Sequence, residues 1–275
     1  MFSETKPTRD EGSALTPIAE GPILYDVSGG VATITLNNPP LNVVSLDMMP
    51  ALDRALDLVE SDANVRVVIL TGAGDRAFCA GSDISEFDAF MTPGAVIPKK
   101  LGRQYEVFGR LDALAKPTVA ALHGYVYGGG LELAVCCDLL VGDENTLINS
   151  PEIKLGVFPS TGGTIRVTRR VGEGRAKQLM FLANPISASV AQQWGLLNFI
   201  APAGESRRVA LEVAHVLLER PPLALSYCKQ SIDMAFDMTQ DEALRRTLPL
   251  SDLAFSSPEC REGVRAFRAG ETPKY

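Results

Sequence analysis

Three consecutive glycines, Gly128 to Gly130, join an apolar segment that favours a β-strand (117–122) to a segment that favours a helix (131–137). Glycine permits positive φ angles and lets a ligand lie directly against the main chain. A helix that begins at these glycines would present unpaired N–H groups and a partial positive charge to an oxygen atom, with Glu132 in its first turn. The same pattern is typical of a tight turn followed by a solvated acid, and this segment alone leaves both interpretations open.

A second glycine-containing loop follows a strand predicted over residues 65–71. Its glycines superficially match a dinucleotide-binding fingerprint, but that motif needs an amphipathic helix directly afterwards, and here another glycine, Gly81, follows instead. We therefore expect a loop that returns the backbone N–H of Ser82 to a pocket. Asp83 or Ser85 is expected to cap a short helix through Phe87.

Three segments, taken together and in order, resemble the crotonase (enoyl-CoA hydratase/isomerase) superfamily. They are FCAGSDISE (78–86), HGYVYGGGLEL (123–133) and SPEIKLGVFPSTGGT (150–164). The resemblance extends over about residues 21–270 and is far more specific than any one motif. It implies an α/β fold in which ββα turns form a spiral, followed by a C-terminal helical oligomerisation region.

The resemblance also implies a catalytic site. The backbone N–H groups of Ser82 and Gly129 would hold the thioester oxygen of an acyl-CoA, and Glu132 and Glu152 would be the acid/base carboxylates. Polarising the thioester makes Cβ electrophilic, while one carboxylate activates water and the other delivers a proton to Cα. Two carboxylates in a water-poor pocket would raise each other's pKa. Because this chain keeps both acids, hydration is favoured over isomerisation or hydrolysis.

Further residues are expected to bind substrate or coenzyme A through their match to the family motifs: Cys79, Ala80, Asp83, Ile84, Tyr127, Gly128 and Lys274. Two departures from the family pattern stand out. Ser85 replaces a lysine that often holds the nucleotide end of coenzyme A, and Lys274, Lys116 or Lys154 are the alternatives left open for that charge. Ser160-Thr161 adds bulk and hydroxyls after Pro159, near Glu152, which predicts an unusual acyl pocket.

Composition limits the partners. The formal net charge of -7 argues against a nucleic-acid surface, which needs clustered cations. No apolar run approaches the roughly 20 residues of a membrane span, so no membrane partner is expected. The five cysteines are odd in number and lack metal-ligand spacing, which predicts free thiols, no metal site and a reducing compartment. Without a recognisable targeting pattern, the cytoplasm is the expected location.

The sequence thus predicts an enoyl-CoA hydratase, a hydro-lyase of fatty acid and lipid metabolism that needs no cofactor, coenzyme A being part of the substrate. The resemblance implies a homo-trimer or homo-hexamer. Two alternatives stay open, a Δ3-Δ2 enoyl-CoA isomerase or a hydratase of cyclic or branched acyl-CoA. A third, of another class, is a non-catalytic RNA-binding or scaffold protein.

Pattern and composition divide the chain into three parts. Residues 1–20 are polar and predicted to be a disordered tail, residues 21–203 the spiral core, and residues 204–275 the C-terminal helical region. Alternating apolar residues over 23–27 and 31–36 predict a hairpin around Ser28-Gly29-Gly30. The segment 88–100, with Pro93, Gly94 and Pro98, is expected to be loose and to border the acyl pocket.

Overall fold

The computed structural model describes Ile18 and residues 20–275, so nearly all of the predicted disordered tail, residues 1–20, lies outside the described residues. The strands, in chain order, are β1 (Ile23–Ser28), β2 (Val31–Leu36), β3 (Val67–Gly72), β4 (Ala77–Cys79), β5 (Thr118–Leu122), β6 (Tyr125–Tyr127), β7 (Leu139–Asp143), β8 (Leu147–Asn149), β9 (Ile186–Ser187) and β10 (Phe199–Ala201).

Helices separate and follow these strands. In chain order they are α1 (Met48–Ser61), α2 (Gly102–Asp112), α3 (Gly129–Ala134), α4 (Gly163–Val171), α5 (Glu173–Leu182), α6 (Ala188–Gln193), α7 (Ser206–Leu218), α8 (Pro222–Asp233), α9 (Gln240–Ser256) and α10 (Pro258–Ala269). Shorter helical pieces are the 3-10 helices Ile84–Phe90, Glu152–Leu155 and Met234–Phe236 and the π-helical turn Ile97–Leu101. Within the described residues, none of these helices has the length and apolar character needed to cross a bilayer.

The strands form two sheets. The larger has the order β1-β2-β3-β5-β7-β10, and the smaller has the order β4-β6-β8-β9. The hairpin predicted around Ser28-Gly29-Gly30 is confirmed, since β1 and β2 pair antiparallel with Ser28 opposite Val31. The other neighbours in the larger sheet pair parallel, as do β4, β6 and β8 in the smaller one.

Chain order and sheet order together make a spiral. Three successive turns each contribute one strand to the larger sheet, one to the smaller sheet and then a helix: β3-β4-α2, β5-β6-α3 and β7-β8-α4. The predicted spiral of ββα turns is therefore confirmed. Because β4, β6 and β8 run parallel, the segments that follow them emerge at the same edge of the smaller sheet. Those segments contain Ser82, Gly129 and Glu152, so the fold gathers the three motifs in one place.

Two buried apolar clusters hold the spiral together. The larger one fills the space between the sheets and helices α1 to α5 and includes Leu70, Phe78 and Phe108, each with no exposed surface. The smaller one lies between the larger sheet and α7, where Val67 and Val119 meet the alanines of the helix. Burying a side chain of this size contributes about 1.5–3 kcal/mol, so β4 and α3 are anchored from behind.

Local structure differs from the sequence prediction at two places. The segment 88–100 was expected to be loose, yet it contains a π-helical turn, Ile97–Leu101, which leads directly into α2. Helix α3 ends at Ala134, short of the predicted residue 137. The predicted cap at Asp83 is confirmed, because its side chain accepts a hydrogen bond from the backbone N–H of Ser85. The short helix that it caps, Ile84–Phe90, ends three residues beyond the predicted Phe87.

Candidate active site

Two backbone N–H groups face each other at the edge of the smaller sheet. Gly81 and Asp83 form backbone hydrogen bonds with Val44, at 2.8 and 3.0 Å, so the N–H of Ser82 between them points the opposite way, as alternate residues of an extended chain do. That direction leads to the start of α3, where the N–H of Gly129 opens the helix. Neither N–H donates to another group within the described chain.

The glycines at this helix start serve different purposes. A Cβ on Gly130 would lie 2.2 Å from the carbonyl oxygen of Cys79, so α3 can approach β4 only because that side chain is absent. A Cβ on Gly129 would lie 3.5 Å from the nitrogen of Ser82, in ordinary contact with the chain. The absent side chain at Gly129 therefore leaves open the space between the two N–H groups, where a ligand oxygen could accept from both.

Glu132 lies one helical turn beyond these donors and is 6% exposed. Its Oε1 accepts hydrogen bonds from the backbone N–H groups of Thr161 and Gly163, at 2.8 and 2.9 Å, and its Oε2 accepts from the Thr161 hydroxyl at 2.8 Å. All three donors come from the loop and helix start that follow Pro159. Glu132 is thus held as a hydrogen-bond acceptor in one fixed orientation.

Glu152 begins the 3-10 helix that follows β8 and has a different environment. Its Oε2 accepts from the Ser150 hydroxyl at 2.8 Å, while its buried Oε1 has no partner among the described residues. Burial raises the pKa of Glu152 above its usual range, and the charge of Glu132 adds a smaller contribution in the same direction. Burial, more than the mutual repulsion expected from the sequence, therefore favours a protonated Glu152.

Both carboxylates and both N–H groups border one cavity of about 670 Å³. Of the residues expected to bind substrate, Ala80, Asp83, Ile84 and Gly128 line this cavity. Its far wall is apolar and aromatic, formed by Ile84, Phe87, Phe90, Met91, Leu101 and Phe158. A cavity with a polar floor and an apolar wall fits a molecule with one reactive polar group and a hydrocarbon portion.

Three of the expected binding residues do not line the cavity of their own chain. Cys79 is fully buried behind it, where burial raises the pKa of the thiol to about 12. Tyr127 packs against Tyr125, with ring centroids 5.1 Å apart. Lys274 lies beyond α10, where its backbone N–H donates to Glu262. Their roles stay predictions, and Lys274 could reach a coenzyme A molecule only from outside this cavity.

The two residues of the family departure Ser160-Thr161 lie in different environments, since Ser160 lines the cavity and Thr161 does not. Thr161 was expected to bring its hydroxyl near Glu152 and to change the acyl pocket. Thr161 is instead 1% exposed, and its hydroxyl bonds to Glu132. The other departure, Ser85, is exposed, and its hydroxyl bonds to the capping residue Asp83 at 2.6 Å.

Sequence reasoning missed two cavity residues, Gln104 and Lys100. Gln104 stands on the buried face of α2 with Val107, Phe108 and Leu111, and its spacing from these apolar residues was a signal that could have been found. Lys100 is 4% exposed and pairs with Glu86 at 2.7 Å. Its burial had no local signal, because the π-helical turn that directs it inward does not follow the 3.6-residue period.

The chain is similar to known proteins over most of its length. The profile of the family described as enoyl-CoA hydratase/isomerase matches residues 26–275. Over 247 residues, the chain is 36% identical to the short-chain-enoyl-CoA hydratase of Clostridium acetobutylicum, covering 89% of this chain and 94% of that protein.

Solved structures give the same result. The crystal structure of an enoyl-CoA hydratase from Bacillus anthracis has a TM-score of 0.87 and 31% identity, covering 93% of this chain and 99% of that one. DspI from Pseudomonas aeruginosa has a TM-score of 0.89 and 28% identity, covering 96% of this chain and 100% of that one.

Proposed function

The chain belongs to the enoyl-CoA hydratase/isomerase family, and from that premise we propose that it is an enoyl-CoA hydratase. The reaction is the reversible addition of water to the α,β double bond of an acyl-CoA thioester. The observation that supports the proposal is that one cavity is bordered by two backbone N–H groups, neither with an acceptor in the described chain, and by two carboxylates in unlike environments. Glu132 is held as an acceptor by three donors, while burial raises the pKa of Glu152.

The two N–H groups act on the thioester. Its carbonyl oxygen accepts hydrogen bonds from Ser82 and Gly129, and these bonds strengthen as negative charge develops on that oxygen. Electron density drawn toward the oxygen leaves Cβ electrophilic. Because the donors belong to a packed strand end and a helix start, they need no rearrangement when the charge forms.

The two carboxylates then divide the proton transfers. Water gives a proton to Glu132 as its oxygen bonds to Cβ, and the resulting enolate takes a proton at Cα from Glu152. A proton returned from Glu132 to Glu152 restores the starting state, so one water is consumed and no other group changes. The three donors on Glu132 support its role as acceptor, and the raised pKa of Glu152 supports its role as acid.

A homo-oligomer forms part of the proposal, as a trimer or a dimer of trimers. Helices α8 and α9 have no buried residue, and apolar side chains on α8 to α10 and their connections face outward: Ile232, Phe236, Leu248, Phe255 and Phe267. An apolar surface of this kind is typical of one that a partner covers. Sedimentation equilibrium of the full chain would test it, and a monomer at micromolar concentration would contradict it.

A location in the cytoplasm and a place in fatty acid metabolism complete the proposal. All five cysteines are free thiols, which supports a reducing compartment. The apolar far wall of the cavity supports an acyl group of hydrocarbon character.

The test is a turnover panel of straight, branched and cyclic 2-enoyl-CoA thioesters with the wild type, Glu132→Gln and Glu152→Gln. Loss of a general acid or base typically costs about 100-fold or more, so each variant should lose at least that much kcat. Full hydration rates in both variants would refute the mechanism. A wild type that converts only 3-enoyl-CoA to 2-enoyl-CoA would instead be an isomerase, and RNA binding at physiological salt without any turnover would indicate the non-catalytic alternative.

A further inference from the structure

Gln104 is a polar residue at an apolar position. It is 1% exposed and shares the buried face of α2 with Val107, Phe108 and Leu111. Its Nε2 donates to the Thr161 hydroxyl at 2.9 Å, and its Oε1 has no partner among the described residues. A buried amide with one unsatisfied oxygen is a poor way to stabilise a core, so its position calls for another explanation.

The hydrogen bonds of Thr161 have only one consistent direction. An amide N–H can donate a hydrogen bond but cannot accept one, so the Thr161 oxygen must accept from Gln104. The Thr161 hydroxyl therefore donates its one hydrogen bond to Glu132 Oε2, 2.8 Å away. If the amide were turned around, the Gln104 oxygen and Glu132 would compete for that one proton. Gln104 therefore forces the hydroxyl to point at the carboxylate.

The oxygen that accepts this hydrogen bond, Oε2 of Glu132, is also the oxygen that is available to water. Oε1 of Glu132 already accepts from two backbone N–H groups, which occupy its lone pairs. Oε2 accepts from the Thr161 hydroxyl alone and keeps one free acceptor position. The Thr161 hydroxyl consequently determines in which direction that free position points.

We propose that Gln104 and Thr161 are positioning residues for the hydration reaction. Gln104 orients the Thr161 hydroxyl, and the hydroxyl turns the free lone pair of Glu132 Oε2 toward the water that attacks Cβ. This inference rests on the proposed hydratase function and extends it to two residues that act through Glu132. A donor that itself accepts a hydrogen bond donates more strongly, so the effect of Gln104 is transmitted through Thr161.

The test is a double-mutant cycle on crotonyl-CoA hydration with Gln104→Met, Thr161→Val and the double variant. Both single variants keep the side-chain volume and the backbone N–H groups that bind Glu132. Misplacing a reacting group by about 1 Å can cost about 100-fold in rate, so kcat of Thr161→Val should fall by about 10- to 100-fold with KM changed less than about twofold. Gln104→Met should lose about fivefold to tenfold, and the double variant should match Thr161→Val, because Gln104 acts only through the hydroxyl.

Two further variants separate positioning from packing. Thr161→Ser restores the hydroxyl and should recover kcat to within about threefold of wild type. Thr168→Val removes a hydroxyl from α4 that bonds to the Thr164 carbonyl, outside the cavity, and should leave kcat unchanged. Thermal unfolding of every variant identifies those that fail to fold, and the Thr161→Val and Thr161→Ser pair decides the question even if Gln104→Met is among them.

Losses that multiply in the double variant would overturn the proposal, as would a Thr161→Val variant in which KM rises and kcat does not change. Failure of the positioning role of Gln104 and Thr161 can be distinguished from failure of the proposed function. The positioning role is refuted if the wild type hydrates crotonyl-CoA and Thr161→Val does so equally well. The function fails if the wild type hydrates none of the enoyl-CoA panel.

Discussion

The cavity has two unlike walls. The inner wall, defined as residues 128–132 and 161–163, is buried, and its carboxylate, Glu132, accepts hydrogen bonds at both oxygens. The outer wall, defined as residues 84–101, is largely exposed and carries apolar side chains such as Met91, 73% exposed, and Ile84, 58% exposed. One buried ion pair, Lys100 with Glu86, joins its two ends.

The fold thus places proton transfer and substrate recognition on different walls of the cavity. Proton transfer and oxyanion binding need positions held to a fraction of an ångström, and close packing around α3 provides them. Recognition of an acyl group needs a surface that can differ among relatives, and an exposed connecting segment provides it. Changes to the inner wall should therefore alter the rate, and changes to the outer wall should alter substrate affinity.

The largest expected effect is on the inner wall, from Gly129→Ala. The added methyl would lie 3.5 Å from the Ser82 nitrogen, where the thioester oxygen must bind, yet it contacts the chain at ordinary distances. Losing one oxyanion donor costs about 100- to 1000-fold in rate, so kcat/KM should fall by at least that much with the melting temperature almost unchanged. Steady-state kinetics and calorimetry measure the two effects, and an active variant would refute the two-donor site.

The neighbouring change, Gly130→Ala, should have the opposite signature. Its methyl would lie 2.2 Å from the Cys79 carbonyl oxygen, which requires α3 to move away from β4. Overpacking of this kind costs about 3 kcal/mol, so urea denaturation should show a lower free energy of unfolding. Unchanged stability would mean that close packing does not hold the inner wall.

On the outer wall, Lys100→Met removes the ion pair and leaves the Glu86 carboxylate with the Leu46 N–H as its remaining partner. Unpairing a largely buried charge should lower the free energy of unfolding by about 2 kcal/mol. The enoyl-CoA KM should rise while kcat stays within about twofold of wild type. Lys99→Met, on the exposed side of the same turn, is the matched control, and a drop in kcat in Lys100→Met alone would contradict the division between the walls.

The smallest effect concerns stability at the floor of the cavity. Because burial raises the pKa of Glu152 above 4.5, the folded state favours the protonated form, and the wild type loses stability as pH rises through the raised value. Glu152→Gln lacks this loss and should be more stable than the wild type at pH 7. The gain should vanish below pH 4.5, where the carboxyl is protonated in both states.

Denaturation at several pH values measures this gain, with Glu144→Gln, an exposed acid, as the control. A gain that is independent of pH would show that the carboxylate charge is not its cause. The same variant should be nearly inactive in the hydration assay, so Glu152 would be a residue kept for function at the expense of stability.

Much of the fold was predictable because its signals are local. Strand alternation predicted the β1-β2 hairpin, and the glycine run predicted the start of α3 at Gly129. Helices α7 to α10 followed from apolar periodicity and from Pro222 and Pro258 at their starts. The spiral itself has no sequence repeat, and its prediction came from resemblance to a family.

The candidate site was predictable only in part. Ser82, Gly129, Glu132 and Glu152 stand in motifs, and they border one cavity. Gln104 and Lys100 stand in no motif, because each enters the cavity from a helical turn whose direction depends on how residues 84–101 pack. That Ser160-Thr161 changes the acyl pocket stays a prediction for Ser160, which lines the cavity. The Thr161 hydroxyl is directed to Glu132 instead, because its hydrogen-bond partners come from α2 and α3.

The residues of the chain specify which groups are present at the site, namely the backbone N–H groups of Ser82 and Gly129 and two carboxylates twenty positions apart. The different environments of the two carboxylates depend on the tertiary structure. Hydrogen bonding from residues 161–163 holds Glu132 as an acceptor, whereas burial beside Gly128 raises the pKa of Glu152. The sequence gives the identity of a side chain, but its protonation and orientation depend on the exclusion of solvent and on hydrogen-bond donors from distant segments.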